Sequence, residues 1–356
     1  MRRMATAMVL VGVCVAGGMT PAFADEAPDG VLEAIVADTA PARIQGDDLV
    51  AQVGDVRAEI PVDSEEPLTL QSGNGPEISI TLPRGDGDED EPAREGSGAV
   101  SHDLGDGSRI VPAIRSNGIV QILSVLHDAG APTSFDYDVA VGTGGSLVAA
   151  ADGGVRLLDA AGEEAASVAA PWAVDASGKQ IPTHFVLGQN RLTQIVDTTS
   201  VVDVQYPVVA DPAVSVTYYR YSAVNVSRTY NWTNKAIQLA ICKVQSGASR
   251  GTCTMSAGYE LETSVDTSFG LTRGFVSANI GVNESKKVTG NVSWTSPVAY
   301  AGSSYKAWAV GTRVTYRIQK WIGRKTLGMS TPRWTLDSTS STLSAFEPQV
   351  GFAVGQ

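Results

Sequence analysis

Few residues in this chain have both the type and the spacing for chemistry. Gly247-Ala248-Ser249-Arg250-Gly251 fits the turn that exposes a nucleophilic serine in α/β-hydrolases, which requires a strand entering, a helix leaving and a histidine downstream. No histidine follows Ser249, because the only three are His102, His127 and His184. The segment lies between Cys242 and Cys253 and reads as a turn. The scattered histidines offer neither a metal triad nor a local Cys–His pair, so no metal and no cofactor is expected. Asp86, Asp88 and Asp90 have the spacing that opens a calcium loop, yet Glu91 stands where glycine is needed, Pro92 follows and no closing glutamate occurs. A solvated acidic loop is the better reading of these residues. Gly142-Thr143-Gly144-Gly145-Ser146 lacks the lysine of a phosphate loop. No catalytic residue is assigned, and carboxylate pairs brought together by the fold are the one enzymatic chemistry left open.

The order of residues at the start predicts export. Met1-Arg2-Arg3, a weakly apolar run from Ala5 to Met19 and Ala22-Phe23-Ala24 follow the plan of a secretory signal peptide, with cleavage after Ala24. Cys242 and Cys253 then remain as an even pair in an oxidising compartment, which predicts a disulfide stapling a short hairpin.

Charge divides the rest. Residues 25–211 carry 9 basic and 32 acidic side chains, net −23, and residues 212–356 carry 15 basic and 6 acidic, net +9. Such a division favours contact between the halves or separate partners for each, and it draws the basic half to anionic surfaces.

Periodicity supplies the elements. Residues 25–44 read as a flexible acidic leader with at most one helical turn around Leu32 to Val36. Short alternating runs begin at Leu49, Val56, Leu68 and Glu77, break at an acidic insertion over 84–98, and resume at 118–126, 135–141, 146–159 and 183–196. Within this half, Ala131-Pro132, then Pro171-Trp172-Ala173-Val174-Asp175 through to Ile181-Pro182-Thr183, then Tyr206-Pro207-Val208-Val209-Ala210-Asp211-Pro212 resemble a β-module recurring in secreted actinobacterial proteins of unknown function. The resemblance covers about residues 100–212, and 45–83 more loosely. It implies a secreted scaffold ending near Asp211-Pro212, with no catalytic residue to carry over; on physical grounds Trp172, a large apolar side chain in the loop between Pro171 and Pro182, reads as a core anchor.

The basic half is rich in Tyr, Trp, Ser and Thr. Around residues 262–321, Val276 to Val282 and Val288 to Trp294 read as the arms of a hairpin turning at Asn283-Glu284-Ser285-Lys286-Lys287, with a parity switch near Phe275 that predicts a bulge. One face is polar and the other apolar, as in a membrane-inserting hairpin, but these arms are shorter than the 9 to 11 residues a spanning strand needs. Farther on, Arg313, Arg317, Lys320, Arg324 and Lys325 interleave with Tyr316 and Trp321 and form the candidate binding surface.

The expected fold is all-β: two β-rich, sandwich-like domains over 45–211 and 212–356, with little helix outside the signal peptide. The leading functional expectation is a secreted non-enzymatic protein whose basic aromatic domain binds an anionic envelope polymer or lipid surface. The first alternative is an aerolysin-like β-hairpin pore former held soluble by the acidic half, oligomeric only in that case, and the second is an extracellular hydrolase using unidentified carboxylates. Nucleic acid is not an expected partner of an exported chain.

Overall fold

The computed structural model describes residues 28–356 apart from 64, 74, 86–91 and 248. The predicted signal peptide and the Asp86, Asp88, Asp90 loop lie outside the described residues. The described chain is mostly strand, in antiparallel sheets, with two α-helices, so the all-β reading holds.

Contacts divide the chain into two compact units, one running to Thr217 and including Arg324–Arg333, the other comprising Tyr218–Gly323 and Trp334–Gln356. The first unit thus extends past Asp211, because Ala213–Val216 pairs with both Glu164–Val168 and Val120–Leu126 and completes a sheet. The chain passes from one unit to the other three times.

The first unit is built from two antiparallel sheets. One has eight strands and includes Ser134–Val141 and Arg191–Val196, and the other has ten and includes Ser108–Ile114 and Val120–Leu126. Alternation sets which side chains meet between them: along Ser134–Val141 every second residue is buried, starting at Phe135. Where the inner faces meet, the Ser124 hydroxyl lies 2.9 Å from that of Tyr137 and the Gln194 side-chain amide donates to the Asp211 carbonyl at 3.3 Å. The strands Trp172–Val174 and Val208–Asp211 pair directly, with Trp172 opposite Asp211.

Two expectations for this unit are corrected. The leader is not loose: α1, Pro28–Ala37, buries Val31 and Ile35 completely, one turn apart, against Val111, Leu123 and Val209. The insertion at 84–98 also contains a short strand, Ala93–Glu95, paired with Ala99–Asp103.

The second unit centres on two long strands. Tyr218–Lys243 and Ser304–Arg324 run antiparallel, and Leu343–Gly355 and Arg333–Thr339 both pair with the latter. The buried residues of Ser304–Arg324 change parity midway: Tyr305, Ala307 and Ala309 face inward before Gly311, and Val314, Tyr316, Ile318 and Lys320 after it. A register shift between Ala309 and Gly311 makes the change. A Cβ on Gly311 would come within 2.3 Å of the Glu347 carbonyl oxygen, so the switch needs glycine.

The predicted strand at Val276–Val282 is a helix. In α2, Arg273–Ile280, the Thr272 hydroxyl accepts the Phe275 amide at 3.2 Å and Gly281 closes the end in the left-handed conformation, φ 64°. Val276 and Ile280, one turn apart, are buried against Val314, Tyr316 and Ile318. The parity switch read from the sequence was the change from period two to period 3.6. Thr272→Ala should cost about 1 kcal/mol, the usual value of such a cap, measured as a lowered urea midpoint for the second unit.

Candidate functional site

With Val276–Val282 helical, the strand Lys287–Thr295 has a different partner. It pairs over nine residues with Thr254–Glu262, from Thr254 opposite Thr295 to Glu262 opposite Lys287. Thr-Met-Ser-Ala-Gly-Tyr-Glu-Leu-Glu alternates strictly, a signal present in the sequence just before the stretch expected to begin at Glu262.

The two faces of this hairpin differ sharply. Thr254, Ser256, Gly258, Glu260 and Glu262 are exposed, as are Lys287, Thr289, Asn291, Ser293 and Thr295 opposite them. Met255, Ala257, Tyr259 and Leu261, with Val288, Gly290, Val292 and Trp294, occupy the other face and are buried or half-buried. Tyr259 lies across Gly290, where a Cβ would meet its hydroxyl at 2.5 Å.

This pair is a two-stranded sheet of its own, without a ladder to the five-stranded sheet. Side chains hold it there. Met255 and Val292 pack with Cys242 and Ala307, and the Trp294 and Tyr305 rings lie 5.2 Å apart. The Tyr259 hydroxyl contacts the Gly351 backbone, accepting its N–H at 2.9 Å, and Lys286 pairs with Glu347 at 2.8 Å. At the far end of the segment, the Arg228 guanidinium donates to the carbonyls of Ile280 and Gly281.

Cys242 and Cys253 are bonded, with Cα atoms 5.8 Å apart, but the predicted stapled hairpin between them is absent. Arg250–Gly251 pairs instead with Ala299–Tyr300. The bond joins the end of the strand Tyr218–Lys243 to the residue just before Thr254–Glu262, so it links two different sheets.

The seven basic and aromatic residues singled out for binding do not form one surface. Arg313 and Arg317 are exposed, Arg313 lying 4.9 Å from the Trp232 ring. Tyr316 is 1 % exposed and its hydroxyl donates to the Asp266 carbonyl; burial pushes its pKa up to about 12. Lys320 is buried above the Tyr219 ring, 3.9 Å from Asp337. Trp321 is half-buried beside Arg220. Strand alternation explains the split, since Tyr316 and Lys320 share the inward parity and Arg313 and Arg317 the outward one. Arg324 and Lys325 belong to the first unit, where Arg324 holds Glu164 through two hydrogen bonds of 2.6 Å and Lys325 donates to the Asn117 carbonyl at 2.9 Å.

Two aspartates of the first unit are held by hydrogen bonds inside the fold. Asp175 accepts four hydrogen bonds, from Ser177 twice and from the amides of Lys179 and Gln205. Burial works to raise its pKa, and the bonds, led by that of the Ser177 hydroxyl, bring it below the ordinary aspartate value. Asp211 is buried with Gln121 donating to it at 2.6 Å. Ser249 precedes the short strand Arg250–Gly251, so no helix leaves the serine turn. Among the described residues no group of three His, Cys, Asp or Glu side chains could hold a metal ion. No family model matches the chain and no curated protein matches it.

Proposed function

We propose that the second unit acts on membranes by inserting the hairpin Thr254–Glu262/Lys287–Thr295, with several copies lining a pore with its polar face. The observation that carries this is the hairpin's two unlike faces over nine paired residues. Nine residues at about 3.3 Å each reach roughly 30 Å, the thickness of a bilayer's hydrocarbon core. A transmembrane barrel needs lipid-facing and water-facing residues in alternation, and this hairpin has both. The hairpin strands themselves have no ladder to the five-stranded sheet; detaching them exposes apolar side chains and breaks the two-residue ladder between Ser264–Val265 and Leu343–Gly355 in the segment that joins them.

Charge supports a preceding adsorption step. The second unit carries 12 basic and 6 acidic residues, net +6, and Arg313 and Arg317 stand free of its core. Anionic lipid attracts such a surface at low ionic strength. In this reading the protein is secreted and not an enzyme, and the first unit is its scaffold.

Dye release from vesicles containing anionic lipid tests the proposal, using the chain from Asp25 onward. Ala257→Arg places a charge in the middle of the apolar face and should reduce release at least tenfold, because such a charge costs about 2–4 kcal/mol at the bilayer midplane. Ser256→Arg, on the polar face, should leave release within about twofold, with matched urea midpoints showing that both variants fold. Equal release from the two variants would remove the hairpin from the mechanism. Salt-reversible sedimentation with vesicles and no release would leave surface binding in its place.

A further inference from the structure

We infer that the Cys242–Cys253 disulfide is a redox latch that keeps one long hairpin folded back on itself, and that its reduction lets the hairpin straighten. The inference rests on the insertion reading for its biological consequence, while the folded-back geometry stands on the pairing alone.

Three ladders follow one another along the same two arms of chain. Cys242 lies opposite Tyr305, Arg250 opposite Tyr300, Thr254 opposite Thr295 and Glu262 opposite Lys287. From the first pair to the last, one arm advances 20 residues and the other 18. The arms therefore stay nearly in step, and a two-residue bulge is all that separates them from a single continuous ladder. Two interruptions, after Lys243/Ser304 and after Gly251/Ala299, let the lower part fold back, so that Met255, Val292 and Trp294 pack on Cys242, Tyr305 and Ala307.

The disulfide spans this fold. It holds the two Cα atoms 5.8 Å apart, and no disulfide lets them separate beyond about 7 Å. In a continuous strand, residues 11 apart stand about 36 Å from each other. The oxidised chain therefore cannot draw its two arms into one continuous ladder through residues 242–253. Cys253 is half-buried between exposed Thr252 and Thr254, whereas Cys242 is buried, so Cys253 is the more accessible member of the pair. A thiolate of a dithiol reductant attacks the Cys253 sulfur and expels the Cys242 thiolate, which takes up a proton. The reductant's second thiolate then attacks its own sulfur in the mixed disulfide and expels Cys253. Two electrons pass to the protein, which ends with two thiols, and the reductant ends as a cyclic disulfide.

Energy transfer between two fluorophores reads the latch directly. They are attached to azide-bearing amino acids placed at Thr229 and Ser285, both exposed. Thr229 adjoins Arg228, which bonds the end of α2, so the pair is close in the folded-back state. Straightening into one continuous ladder carries the two sites on the order of 110 Å apart, counting the residues from Thr229 to Glu262 at about 3.3 Å each.

With anionic vesicles present, transfer should persist in the oxidised protein and be lost after treatment with dithiothreitol. The double variant Cys242→Ser/Cys253→Ser should lose transfer without reductant. Equal transfer in oxidised and reduced protein overturns the latch, whether or not the vesicles leak. Transfer lost on reduction without leakage keeps the latch and defeats pore formation. The wild-type comparison needs no substitution at the cysteines, so poor folding of the double variant leaves the test intact.

Discussion

Glu164→Gln should lower the thermal midpoint of the first unit by roughly 6 to 12 °C, equivalent to a loss of about 3 kcal/mol. The Glu164 side chain is fully buried. Its carboxylate accepts two hydrogen bonds from Arg324, one from Arg156 at 2.6 Å and one from the Thr217 hydroxyl at 3.0 Å. Glutamine keeps the shape but leaves two guanidinium groups facing an amide. Because both arginines keep about two-fifths of their side-chain surface in water, the cost stays at the low end of what a broken buried pair exacts. Arg156→Gln should cost about 1 kcal/mol, since the Arg324 pairing survives it.

The same residue sets the acid limb of stability. Burial is the largest single influence on Glu164 and works to raise its pKa; the hydrogen bonds from Arg324 and then Arg156 outweigh it and hold the group below the ordinary glutamate range. Its contribution is therefore complete above the unfolded value near 4.3 and disappears as pH falls through the lower folded value. The Glu164→Gln protein should lose less stability over that interval than the wild type in urea titrations at pH 5 and pH 3.

The opposite limb belongs to Asp211, and here the sign reverses. Burial pushes this carboxyl up to about 8, and the hydrogen bonds from Gln121 and the Trp172 amide, with Arg115 nearby, only partly restrain it. Between the unfolded value near 3.9 and about 8, the folded protein holds a proton that the unfolded chain has released. Stability from this group is complete below pH 4 and is lost as pH rises through 8, at up to about 1.4 kcal/mol per pH unit. Unfolding free energy should fall between pH 5 and pH 9 by several kcal/mol, and Asp211→Asn, neutral throughout, should flatten the curve and exceed the wild type at pH 9. A wild-type curve that rises toward pH 9 would remove Asp211 from this role.

Asp211 also shows what the sequence conveyed and what it withheld. The motif around it led to a domain end near Asp211, whereas the first unit runs on to Thr217; its strand pairs with the one carrying Trp172, and no sequence rule places that aspartate in the core facing Gln121. The strands of the first unit were readable because period two survives in short runs between turn residues. The second unit misled where one apolar set served two periods: Val276, Ala278, Ile280 and Val282 alternate as a strand would, while Val276 and Ile280 also stand one helical turn apart. Thr272 and Gly281, the cap residues, decided for the helix. The basic run from Arg313 to Lys325 looked like one surface because sequence proximity hides strand parity and hides the turn of Arg324 into another unit. The hairpin partner was missed for a simpler reason, as 24 residues including α2 separate Thr254–Glu262 from Lys287–Thr295.

The triple passage of the chain between its units bears on how the two could be separated by proteolysis. A protease cutting once at Thr217-Tyr218 would leave a fragment still gripping Arg324–Arg333 through Glu164 and Asn117, with that decapeptide covalently part of the other fragment. The nicked protein would travel as a single species on a sizing column and come apart only in denaturant. Release by proteolysis demands cuts on both sides of 324–333, because a single cut among its exposed residues Thr326 and Gly328–Ser330 leaves Arg324, with its bonds to Glu164, on the fragment that begins at Tyr218.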